Sequence, residues 1–128
     1  MESGLSGEGR GARVQTCLID LDCCSRIQIA IRNADRYPDT VSLELILVDS
    51  EPNQPSQSLG KMMVRSTRPW RIYDHPQPVA ETLNFAIPSR ASLRHFDEVR
   101  IIFRLDHVRA DSGARIAIDH FVLIPRGL

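Results

Sequence analysis

The sequence predicts an all-β sandwich of about seven or eight antiparallel strands, and three observations carry that prediction. Apolar side chains alternate with polar ones over several short runs, which is the period of a half-buried strand. Connections rich in Pro, Gly, Asn, Asp and Ser separate the runs. No stretch carries the 3.6-residue apolar period of an amphipathic helix, and seven short strands in about 110 residues are what a sandwich needs.

Taken in order, residues 1–13 (MESGLSGEGRGAR) are rich in Gly and Ser and almost free of apolar side chains, so they read as a flexible tail or linker. Residues 14–126 read as one sandwich domain, cut from a larger protein. The run Val14–Asp22 has the β-branched and apolar content of a strand. From Ser25 the isoleucines Ile27, Ile29 and Ile31 alternate with Gln28, Ala30 and Arg32, until a turn at Asn33–Asp39. In Val41–Asp49 the residues Val41, Leu43, Leu45 and Leu47 form one face, and Ile46 and Val48 make the second face apolar toward the end. Ser50–Ser58 is a surface loop and Leu59–Ser66 a weaker strand. Thr67–Pro78 holds three of the eight prolines and the only tryptophan, which excludes a central strand or helix interior there.

Alternation resumes at Val79–Ile87 with Leu83, Phe85 and Ile87, and after a connection at Pro88–His95 that has room for one helical turn it returns in Val99–Asp106. There Val99, Ile101, Phe103 and Leu105 face one way. A turn through Asp111, Ser112 and Gly113 leads to Arg115–Ile124, and the two runs read together as a closing hairpin. Ile116 and Ile118 keep one phase while Phe121 and Leu123 keep the other, so a bulge is expected near Asp119-His120.

Formal charge is zero, with 16 basic and 16 acidic residues, so no global field favours nucleic acid or an anionic membrane. No apolar run approaches the roughly 20 residues of a membrane-spanning helix, and nothing resembles a signal peptide, which leaves the compartment unknown. The cysteines Cys17, Cys23 and Cys24 have no zinc-ligand spacing. Cys17 reads as a small buried hydrophobe, and neighbours such as Cys23 and Cys24 seldom bridge, so three free thiols are expected.

The order of elements, the Arg32-Asn33 turn and the last run, ARIAIDHFVLIPR with its Ile-Asp-x-Phe-x-Leu, resemble the jelly-roll sandwiches of the galactose-binding-like group, which includes many carbohydrate-binding modules. The resemblance covers roughly Val14–Arg126 and implies a jelly-roll β-sandwich. It also implies a structural calcium, with Asp119 as a ligand and Asp20 or Asp22 as possible partners; no other cofactor is expected.

Two ligand sites suggest themselves. In the first, Trp70 and Tyr73 offer rings on which a sugar can stack, with Arg68, Arg71 and Asp74 beside them to bond hydroxyls; otherwise Trp70 plugs one end of the sandwich. The second is a polar row of Gln28, Arg32, Glu44, Thr82, Asn84, Arg100 and Arg104, which would share one face if their strands were neighbours, or would form an ordinary solvated surface. The pairs Asp74-His75, Asp106-His107 and Asp119-His120 raise an enzymatic reading, but adjacent residues on a strand point to opposite faces. The functional expectation is a non-catalytic ligand-binding accessory module, for carbohydrate. Its alternatives are a structural or protein-interaction sandwich that self-associates as a homodimer and a small metal-dependent cupin-like enzyme.

Overall fold

A computed structural model describes residues 11–33, 41–65, 79–105 and 116–126. Seven strands appear: β1 (Gly11–Asp20), β2 (Cys24–Asn33), β3 (Val41–Val48), β4 (Gln57–Met63), β5 (Val79–Ala86), β6 (His95–Leu105) and β7 (Ile116–Pro125). They form two antiparallel sheets, one in the order β1-β6-β3-β4 and the other in the order β5-β2-β7. A 3-10 turn at Leu21–Cys23 joins β1 to β2. Among the described residues no helix is long and apolar enough to cross a membrane.

The alternating runs fold as their period demands. Ile27, Ile29 and Ile31 of β2, with Leu83 and Phe85 of β5, turn one face of the smaller sheet inward. Leu43, Leu45 and Leu47 of β3, with Val99, Ile101 and Phe103 of β6, do the same for the larger sheet. All belong to a single buried cluster, so the two sheets share one core in a sandwich-like arrangement. β3 and β6 begin or end within a few residues of the runs read from sequence, but β6 starts earlier, at His95 rather than Val99.

The closing hairpin is not formed. β6 lies in the larger sheet beside β1 and β3, whereas β7 lies in the smaller sheet beside β2. Alternation fixes which side chains of a strand are buried, but both sheets bury an inner face, so it cannot say which sheet a strand joins. The expected bulge is present. Ala30 pairs with His120 and Ile31 with Ile118, leaving Asp119 as the extra residue, so that Ile118 and Phe121 can both turn toward the core.

Similar irregularities interrupt other edges. Between Gln15 and Ile19 the β1 chain advances four positions while β6 advances two, from Glu98 to Phe96. In β4 the advance from Ser58 to Lys61 is matched by only Ile46 to Glu44 in β3. Edge strands β1, β4 and β7 thus each carry a break in the row of backbone groups that a second chain could pair with. The first break also corrects the reading of Cys17, which is exposed together with Leu18 where the β1 ladder is interrupted.

The β4 irregularity contains Gly60, at φ 99°, a backbone region open mainly to glycine. A Cβ placed there would meet nothing within 4 Å, so substitution is opposed by the backbone alone. Gly60→Ala is expected to lower stability by about 1–2 kcal/mol without changing the fold, measurable by urea denaturation; an unchanged midpoint would show that β4 relaxes out of this conformation.

Candidate functional site

The sequence-derived sites fare differently. Arg68, Trp70, Arg71, Tyr73 and Asp74 lie outside the described residues, as do the pairs Asp74-His75 and Asp106-His107. The polar row is divided. Gln28, Arg32, Thr82 and Asn84 sit on β2 and β5 of the smaller sheet, where Gln28 Nε2 donates to Asn84 Oδ1 at 2.9 Å. Glu44, Arg100 and Arg104 sit on β3 and β6 of the larger sheet. Each set alternates with the buried residues of its own strand, so the two sets look outward from opposite sides of the sandwich.

On the larger sheet the charges are already engaged. Glu98, buried to 6% exposure, accepts from Gln15 Nε2 at 2.6 Å and from Arg100 Nε. Arg104 Nη2 lies 3.4 Å from Glu44 Oε1, and Ser58 Oγ donates to Glu44 Oε2 at 2.7 Å. This face is a set of internal pairings, with Arg100 and Arg104 holding carboxylates of their own sheet.

Asp119 stands at the bulge of β7 with Arg32 Nε 3.8 Å and His120 Nδ1 3.6 Å from its Oδ2. The bulge also overturns the expectation that neighbours on a strand point apart, since Asp119 and His120 are both exposed here. At 3.6 Å the contact is too long for a hydrogen bond. Asp20 and Asp22 do not approach it. They flank the start of β2 at Cys24, whereas Asp119 lies beside Ala30, about 20 Å farther along at ~3.3 Å per residue. Among the described residues no group of three or more His, Cys, Asp or Glu side chains is placed to share a metal ion.

What the structure does assemble is a cleft of about 600 Å³ at one end of the sandwich. One wall is the end of β1 and the 3-10 turn, bearing Asp20 and Asp22; the other is the connection from β5 to β6, bearing Ser89, Arg90 and Arg94. The buried side chains of Leu21 and Leu93 give it an apolar base. The connection, which has room for one helical turn, contains none, and its shape is set by hydrogen bonds. Ile87 N donates to Ser25 O at 2.9 Å where it leaves β5, and Leu21 N donates to Arg94 O at 2.9 Å, joining the two walls. Between them Gln57 Oε1 accepts from Ser92 N and Ser92 Oγ, both at 3.2 Å, which ties the connection to β4. The wall opposite is held by Arg126, whose amide donates to Cys23 O at 3.2 Å and whose Nη2 donates to Cys24 O at 3.0 Å. Fixed at both walls, the cleft is formed before any ligand arrives.

At the inner margin of the cleft, His95 Nε2 lies 3.3 Å from Asp49 Oδ2, and Asp49 also accepts from Glu51 N at 3.0 Å. Asp49 is 5% exposed, so its remaining interactions are internal ones. Neither residue was among the sequence candidates; the only local signal was that His95 directly precedes a buried phenylalanine.

Nearby, Ser50 donates its amide at 3.0 Å and its hydroxyl to the two oxygens of Asp97. The hydroxyl bond is the main cause that holds the Asp97 carboxyl below its ordinary pKa; burial opposes it, and the Ser50 amide adds to it. A folded-state pKa below the unfolded one contributes stability that is present above the unfolded value, about 3.9, and is lost as pH falls through the folded value. Acid titrations should therefore show the wild type losing stability below about pH 4 more steeply than Asp97→Asn. Parallel curves for the two proteins would contradict this.

A further correction concerns the other two thiols. Cys23 and Cys24 are joined by a disulfide, and of the three cysteines Cys17 is the free one. Their adjacency argued against a bridge because the Cα atoms, 3.7 Å apart, are closer than disulfides usually hold them. The bridge nonetheless forms, at the junction where the 3-10 turn passes into β2.

Among models of known protein families none matches this chain, and no curated protein matches it either.

Proposed function

We propose that the chain is a non-catalytic ligand-binding module that takes an uncharged, polyhydroxylated ligand of the carbohydrate class in the end cleft. The observation that carries this reading is the balance of the cleft's lining. Two guanidinium groups, Arg90 and Arg94, stand opposite two carboxylates, Asp20 and Asp22, above the aliphatic side chains of Leu21 and Leu93. A net cationic lining would select anions and a net anionic one cations; equal numbers of each favour a neutral ligand. Sugar hydroxyls donate to carboxylates and accept from guanidinium groups, and the C–H face of the ring rests on apolar side chains. The volume lies within the range of small-ligand sites, about 300–1,000 Å³.

The finer fold reading, a jelly roll of the galactose-binding-like kind, belongs to the same proposal. Support for it comes from the connections: only β3 and β4 are neighbours both in sequence and within a sheet, and every other connection passes from one sheet to the other. Such wrapping is how jelly rolls join their two sheets.

A glycan array followed by calorimetry tests the proposal. Arg94→Ala removes a charged donor while keeping the backbone carbonyl that anchors Leu21, so the fold should persist. Binding should weaken by about 10- to 100-fold, the equivalent of a charge-assisted hydrogen bond. Trp70→Ala should leave it unchanged. Absence of any glycan binding would overturn the ligand class, and loss with Trp70→Ala but not Arg94→Ala would transfer the site to residues 68–74.

A further inference from the structure

We infer that the Cys23–Cys24 disulfide is a reversible two-electron redox site that controls the wall of the end cleft. The inference rests on the cleft itself and not on the class of ligand proposed for it.

Placement gives the two sulfurs different roles. Cys23 is exposed, whereas Cys24 is 5% exposed and belongs to the core cluster. An incoming thiolate reaches only the sulfur that solvent reaches, so attack falls on Cys23 and Cys24 is the leaving group. A dithiol reductant completes the exchange. Its first thiolate bonds to Cys23 Sγ as the Cys23–Cys24 bond breaks, and Cys24 leaves as a thiolate that takes up a proton. The second thiol of the reductant then attacks the mixed disulfide and releases Cys23. Two electrons and two protons pass to the protein, and the reductant becomes a disulfide.

The consequence follows from what hangs on these two residues. Cys23 ends the 3-10 turn that carries Leu21 and Asp22 of the cleft, and Cys24 begins β2. The ring closed by the disulfide spans the junction between them and restricts the backbone rotations by which the turn could swing away from β2. When it is opened, the turn keeps only two described backbone attachments of its own, Leu21 N to Arg94 O and Arg126 N to Cys23 O. Oxidised protein thus has a closed, shaped wall, and reduced protein a loosened one.

Thiol alkylation and hydrogen exchange on the whole chain test this, with Cys17→Ser used alongside to remove the exposed third thiol. Native protein should alkylate at Cys17 only, after dithiothreitol at Cys17 and Cys23 while folded, and at all three cysteines once the reduced chain is unfolded in denaturant. Reduction should raise exchange of the Leu21 amide by about tenfold or more while the Ile29 amide, in the central strand of the smaller sheet, is unaffected. Three reactive thiols in air-oxidised native protein would overturn the inference. So would unchanged exchange at Leu21, or an equal rise at Ile29, which would mark the bond as a global brace. These readouts need no ligand, so the glycan reading can fail while this one stands.

Discussion

Replacing Phe103 by alanine is expected to destabilise the domain by roughly 3–5 kcal/mol. Phe103 is 1% exposed, on a strand flanked by neighbours on both sides, directly opposite the fully buried Leu43 of β3. Its ring belongs to the core shared by the two sheets and its strand is paired with β3 at this position, so the transfer term and the cavity term both apply. A loss of this size is a large part of the 5–15 kcal/mol that such domains possess. Denaturant titration of the purified variant measures it, and a shift worth less than about 1 kcal/mol would mean that this end of β6 does not face the core.

Deleting Asp119 is expected to be at least as damaging, although its side chain is exposed. The residue supplies a position rather than a contact. On its amino-terminal side Ile116 and Ile118 point inward, on its carboxy-terminal side Phe121 and Leu123 do, and the extra residue reconciles the two phases. Without it, one pair must turn to solvent. Exposing the two isoleucines alone costs about 3–6 kcal/mol at ~1.5–3 kcal/mol each. The substitution Asp119→Ala keeps the bulge and loses only ion pairs between exposed groups, worth under about 1 kcal/mol. Comparing the melting of the two variants separates register from charge, and equal melting points would refute the role given to the bulge.

The bulge at Asp119 marks how far the sequence alone is legible. A change of phase between Ile118 and Phe121 is a local property of ten residues, so it was legible, as were the buried faces of β2, β3, β5 and β6. Partnership is not local. Val99–Asp106 and Arg115–Ile124 are joined by a short turn-like segment and look like a hairpin, yet the first pairs with β1 and β3 and the second with β2. The same blindness divided the polar row, because Asn84 and Arg100 carry no sign of which sheet they belong to.

The cleft was out of reach for a related reason. Its walls come from Asp20–Asp22 and Pro88–His95, stretches that meet through backbone pairing alone, Asp20 with His95 at the end of the β1–β6 ladder and Leu21 N with Arg94 O just beyond it. Backbone groups are the same in every residue, so nothing in either stretch announces the other. Asp20 and Asp22 were noticed as carboxylates, but toward Asp119, at the wrong distance along β2. The disulfide is not legible because the short Cα separation of adjacent residues, 3.7 Å here, argues against a bridge wherever two cysteines are neighbours.

The pattern of pairing also bears on how the chain reaches this state. Only β3 with β4 can close as a local hairpin; β1 waits for β6, and β2 waits for β5 on one side and β7 on the other. Long loops must be closed before most of the ladders contribute, which places folding in the range of about milliseconds to seconds rather than microseconds. During synthesis from the amino terminus, the isoleucine-rich β2 emerges early and cannot be covered on both edges until the final described strand has been made. The apolar stripe that later forms the centre of the smaller sheet is therefore the part of the nascent chain most in need of protection.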